Sequence, residues 1–128
     1  MMITINNLVR ELKLLQPDVK YFNGCISKTE KCVGVYARGN ASPISAIGSK
    51  ASYGVLPVTL LVHWGENSDD CEKTANALYE ALESGIPTIN GVRVIQTNLL
   101  DSCPVNIGRD DNNICEMTIR INILYERR

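Results

Sequence analysis

At 128 residues, 45% of them hydrophobic and 21% charged, the chain suits one domain whose core needs neither disulfides nor a metal. Thirteen basic against fourteen acidic residues leave a net charge of −1. That excludes a dedicated nucleic-acid binder held by phosphate neutralisation, though not a protein that merely surrounds nucleic acid.

The start, Met1 to Thr4, lacks the basic residues of a targeting signal, and a charged amphipathic segment follows in place of an apolar core. A soluble, cytoplasmic site of synthesis is expected. Ile5, Leu8, Val9, Leu12 and Leu15 recur at helical spacing and predict a first helix over 5–15, stopped by Gln16 and Pro17. Two strands, about 19–26 and 31–38, read as a hairpin with a short polar turn at Lys28 and Thr29. Small residues and turn formers then fill Gly39 to Gly54, too long for a plain hairpin loop and so either functional or mobile.

Val55 to Trp64 is the longest apolar run, too short to span a bilayer, and reads as a strand near the sheet centre with Pro57 near its start. Ser68 is the expected N-cap of a second helix ending near Ser84 and Gly85, with Asp69, Asp70 and Glu72 matching its positive end. Cys71, Ala75, Leu78 and Leu82 form its apolar stripe. Asn90 and Gly91 signal a two-residue hairpin opening a strand over 92–99. Pro104 to Asn113 reads as a polar loop. From Met117 the residues Met117, Ile119, Ile121, Ile123 and Tyr125 alternate with Glu116, Thr118, Arg120, Asn122 and Glu126, which predicts one long strand with a buried and a polar side. The expected fold is α+β: two helices packed on a mostly antiparallel sheet of about five to six strands, in a single domain over 1–128, with 39–54 as an assembly arm.

Candidate chemistry mostly dissolves on inspection. His63 is the only histidine, so no His–His metal pair exists, and it reads as a partly buried, hydrogen-bonded residue at a strand end. Glu66, Asp69, Asp70 and Glu72 are explained by helix-start electrostatics without an ion. Asp110 to Asn113 lacks the glycine and closing glutamate of a calcium loop and reads as a polar turn. Gly48, Ser49 and Lys50 invert the order that a phosphate-cradling loop requires. Five cysteines with no C-x-x-C spacing point to reduced, mostly buried thiols, although Cys25 and Cys32 would face each other across the first hairpin. No catalytic residue, cofactor or metal is indicated.

The second half resembles the bacteriophage tail terminator family, whose members are also called minor capsid proteins. The likeness lies in Leu61 to Gly65, in Ala75, Leu78 and Leu82, in Ile89 to Val92, in Pro104 to Asn112 and in Ile119 to Arg127. It covers about residues 55 to 127, and residues 1–54 match only in layout. The resemblance implies a structural, non-enzymatic subunit that closes into a six-membered ring on the finished tail tube. Such a ring ends tube polymerisation and meets the head connector, in the bacterial host cytoplasm during assembly and then in the virion tail. Its partners would be further copies of the chain, the tail tube protein and the connector protein, with DNA passing through without specific binding.

A ring needs a heterologous interface. The polar parity of the last strand and the small-residue loop are the surfaces that a monomer's packing leaves over. The candidate interface residues are Arg38, Ile44, Ile47, Lys50, Tyr53, Arg109, Asp110, Asp111, Arg120 and Asn122. Two rivals stand beside this reading: a small ligand-binding or enzymatic α+β domain with the loop as a lid near His63, Glu66 and Asp69, and a phage head-completion or connector protein.

Overall fold

A computed structural model describes residues 3–26, 31–38, 44–45 and 51–126. The elements in chain order are α1 (Ile5–Leu15), β1 (Tyr21–Asn23), β2 (Cys32–Ala37), β3 (Ile44–Ser45), β4 (Ala51–Gly65), α2 (Ser68–Glu83), β5 (Thr88–Ile89), β6 (Val92–Leu99), β7 (Val105–Arg109) and β8 (Cys115–Glu126). Six strands run in the order β1-β2-β4-β8-β6-β5, while β3 pairs with β4 and β7 with β8. Every pairing among the described residues is antiparallel except β1 with β2. The fold is α+β, as expected, and β3 and β7 are additions to the predicted strands.

Helix α1 has the predicted bounds. Its start is closed reciprocally: the Thr4 hydroxyl accepts from the Asn7 N–H at 3.2 Å and the Asn7 side chain accepts from the Thr4 N–H at 2.9 Å. The cap of α2 is Asn67, one residue before the expected Ser68. The Asn67 side-chain oxygen accepts from the N–H groups of Asp69 at 2.9 Å and Asp70 at 3.3 Å, and the Ser68 hydroxyl is taken up instead by Arg109. The stripe Cys71, Ala75, Leu78 and Leu82 is buried as predicted, and its two leucines contribute about 1.5 to 3 kcal/mol each.

Alternation in β8 is complete: Cys115, Met117, Ile119, Ile121, Ile123 and Tyr125 are buried, and none of the residues between them is. Register extends the buried face across the sheet in rows, Val33–Val62–Met117 and Val35–Leu60–Ile119. Both helices cover this face, α2 against β4, β8 and β6, and α1 against β1, β2 and β5. Because α1 touches strands at both ends of the sheet order, the sheet curls around the helices. Buried apolar residues from helices and strands form one cluster. Pro57 lies well inside β4. Its carbonyl accepts from the Arg38 N–H just past the end of β2, so its missing N–H faces a position where that neighbour has stopped pairing.

Three expectations are corrected. β1 and β2 are parallel, with Tyr21 opposite Val33, and do not form a hairpin. The chain returns across Gly34: a Cβ there would lie 2.7 Å from the Cys25 carbonyl oxygen and 2.7 Å from Ile26 Cγ2. A glycine therefore makes room for a connection shorter than the usual crossover. Cys25 and Cys32 are therefore not joined by a hairpin, and both are free thiols, Cys25 exposed and Cys32 buried. The interval read as one loop, 39–54, contains β3 and the first turns of β4, with Ile44 opposite Tyr53. Residues 39–43 and 46–50, including Ile47, Lys50 and the Gly48–Ser49–Lys50 motif, lie outside the described residues, as does the turn at Lys28 and Thr29. Finally, 105–109 is strand β7, paired along β8 from Val105–Thr118 to Arg109–Cys115. All five of its residues are exposed, so no alternation announces it.

Candidate assembly surface

The helix-free face of the sheet carries the other parity of the same strands. Across β2, β4 and β8 it reads Cys32–His63–Glu116, Gly34–Leu61–Thr118 and Tyr36–Thr59–Arg120, followed by Pro57–Asn122 and Val55–Leu124. Tyr36, Val55, Pro57, Thr59, Leu61, Thr118, Asn122 and Leu124 are all half-buried. These residues are partly covered, whereas Cys32, Gly34 and His63 at one end of the same face are buried, Gly34 beneath Cys25 and Ile26.

Three predicted residues meet at the middle of this face. Arg38, just beyond β2, donates to the Val58 carbonyl at 2.6 Å, to the Ile121 carbonyl at 3.5 Å and to the side-chain oxygen of Asn122. Arg120 grips Asp101 with two parallel bonds, Nε to Oδ2 at 2.9 Å and Nη2 to Oδ1 at 2.8 Å. Those bonds hold the Asp101 carboxyl below its ordinary range and raise Arg120. Partial burial, then the charge of Arg120, lowers Arg38. Asp101 escaped the sequence reading because it lies in the link between β6 and β7, where nothing in the pattern marks a partner for Arg120. The same link is tied to α2 by the Tyr79 hydroxyl, which donates to the Asp101 carbonyl at 2.7 Å.

The predicted Arg109, Asp110 and Asp111 gather separately, at the turn between β7 and β8. Arg109 donates to the carbonyls of Glu66 at 2.8 Å and Asn113 at 2.9 Å and to the Ser68 hydroxyl at 2.6 Å, so it joins this turn to the start of α2. Asp110 accepts from the N–H groups of Asn112 and Ile114, both at 2.9 Å, the mark of a polar turn as expected. Asp111 is exposed. Ile44 and Tyr53 are paired across β3 and β4, on the same side of β4 as β2.

His63 is 1% exposed, deeper than a strand-end residue. Its Nδ1 lies 3.0 Å from Glu116 Oε2 and 3.9 Å from Asp110 Oδ2, and its Nε2 has no hydrogen-bond partner. The lid-and-pocket rival needs Glu66 and Asp69 to converge on this ring. Instead the carboxylates beside the ring are those of Glu116 and Asp110, and Asp69 pairs with Lys73 at 3.0 Å. No group of three or more metal-ligating side chains occurs among the described residues. Burial, then its hydrogen bond with Cys115, pushes the Cys71 thiol up to about 12, so it stays protonated at neutral pH. No helix of the described residues is long and apolar enough to cross a membrane.

The architecture is that of a subunit with its helices on one face and an unsealed sheet on the other, and comparison with solved structures finds the same fold in phage material. The structure of the bacteriophage SPP1 gp17 protein superposes with a TM-score of 0.52 at 13% identity, covering 96% of this chain and 87% of that one. Residues 8–127 match the family described as bacteriophage tail terminator protein, and the chain belongs to that family. The match begins within α1, so it takes in the first half that by sequence agreed only in layout. No curated protein matches the sequence. The chain is thus a structural protein of a phage tail.

Proposed function

We propose that the chain closes into a six-membered ring on the finished tail tube, stops its polymerisation and presents a surface to the head connector. Family membership over 8–127 carries this reading, and the unsealed sheet face supports it. The proposed interface comprises Arg38, Arg120 and Asn122 on that face, Arg109 to Asp111 at the neighbouring turn, and Ile44, Ile47, Lys50 and Tyr53 on the arm. A net charge of −1 suits a channel through which DNA slides without sticking. Assembly in the host cytoplasm and residence in the virion tail follow from the same reading.

The test is mass in solution over a range of protein concentrations, joined to complementation of a terminator-deficient phage. Rings that form with rising concentration, and tails of normal length after complementation, are expected. A chain that stays monomeric and leaves overlong tails uncorrected would refute the proposal. Deleting Ser42 to Lys50 removes the two-residue strand β3 as well as the turns around it and should lower the urea midpoint only modestly, because closure entropy depends weakly on loop length, yet abolish the ring. Normal rings from the deletion would remove the arm from the interface.

A further inference from the structure

The exposed large apolar residues among the described ones fall into two groups. Ile95, Leu100, Val105 and Ile107 lie along β6, β7 and their link, and Leu14, 77% exposed, stands alone on α1. Beside Ile95 is a groove of about 460 Å³, lined by Gly85, Ile86, Val94, Ile95, Gln96 and Thr97 among others, between the end of α2 and strand β6. Isolated exposed leucines are ordinary, but a knob and a groove floored by Ile86, Pro87, Val94 and Ile95 on one chain are the two halves that a heterologous contact needs.

Charge is distributed to match. Leu14 sits on the side of α1 opposite the buried Leu8, Val9 and Leu12, one turn from Arg10 and next to Lys13, and all three are exposed. Neither cation forms an ion pair among the described residues. The groove opens at the C-terminal end of α2, where Glu80 and Glu83 are exposed and the last turn holds no basic residue. The helix dipole adds to the negative sign of that rim. An apolar knob flanked by cations thus has a counterpart on the same molecule, a groove that begins where α2 ends, one residue past Glu83.

Resting on the ring proposed above, we infer that Leu14 of one copy seats in the Gly85–Thr97 groove of the next, with Arg10 and Lys13 facing Glu80 and Glu83. The occupant is a second copy of this chain. Copies carrying Leu14→Cys and copies carrying Gln96→Cys, both with the exposed Cys25 and Cys103 replaced by serine, are mixed and oxidised. Dimers joined through the two new cysteines are expected from the mixture, with far fewer from either variant alone. Leu14→Asp should weaken self-association by about tenfold or more, and Glu83→Lys combined with Lys13→Glu should recover what each loses singly. Rings that form normally with Leu14→Asp and yield no such cross-link would overturn the inference and leave the ring standing. Normal Leu14→Asp rings that fail to dock on tail tubes would also overturn it, by assigning the knob to the tube contact. Wild-type chains that never self-associate would overturn both.

Discussion

The two faces of the β4–β8 ladder share every backbone hydrogen bond and differ in everything else. Toward the helices, Val62, Leu60 and Val58 meet Met117, Ile119 and Ile121 in rows that exclude water. Toward the open side, His63, Leu61, Thr59 and Pro57 meet Glu116, Thr118, Arg120 and Asn122, a mixture no core would choose. One residue of register separates the two sets. Most of the core is therefore encoded by one parity, and the other carries charges and polar groups held in contacts of their own. The loss of a side chain should be felt most in stability on the first face, and at Arg120 and Asn122 of the second in assembly.

The sharpest way to break this division is Ile121→Asp. A carboxylate placed among buried apolar residues without a partner costs several kcal/mol, comparable with the whole stability of such a domain. Loss of the cooperative urea transition is expected, and a soluble, folded variant would show the parity assignment to be wrong.

Gly34→Val tests where the open face is not free. Its new Cβ would meet backbone at Cys25, which cannot yield as a flexible side chain can, and a loss of about 1 to 3 kcal/mol is expected in urea unfolding. No loss would mean that the chain does not cross the sheet there.

A double-mutant cycle probes His63 and Glu116. His63→Leu strands the Glu116 carboxylate and should cost about 1 to 3 kcal/mol, whereas the same change with Glu116→Leu should recover most of it, because two apolar groups leave nothing unpaired. Additive losses would remove the pair from the account.

The smallest effect concerns pH. Arg120 lowers the folded-state pKa of Asp101 below its unfolded value, so the stabilisation is present above the ordinary carboxylate range and is lost as pH falls through the folded pKa. Asp101 is exposed to solvent screening, and Asp101→Asn should flatten only a shallow acid limb of the thermal midpoint. An unchanged acid limb would show the contact to be idle.

Sequence periodicity made the core legible because burial repeats with the geometry of its element: every second residue in β8, every third or fourth in α1 and α2. Asn90 and Gly91 were legible for the same local reason, with φ of 51° and 76° that suit those two residues. What stayed hidden depends on distant parts of the chain. The direction of β1 is set by an opening over Gly34 that no neighbouring residue reports, and β7 is a strand only because β8 offers it an edge. At the candidate surface, Arg120 and Asn122 could be picked out by parity. Their pairing with Asp101 and Arg38 required the fold, since Arg120–Asp101 and Arg38–Asn122 join separate elements, and Asp101 itself carried no signal.

Division of labour between the faces is tested most directly by Arg120→Ser combined with Asn122→Ser, with urea unfolding and solution mass measured on the same sample. Both positions lie on the open parity; the Arg120–Asp101 pair, near the surface, contributes about 0 to 1 kcal/mol and the half-buried Asn122 makes one side-chain bond to Arg38, so the unfolding midpoint should move far less than for Ile121→Asp. The ring should be lost. A midpoint that collapses as it does for Ile121→Asp, or a ring that assembles as the wild type does, would contradict the account.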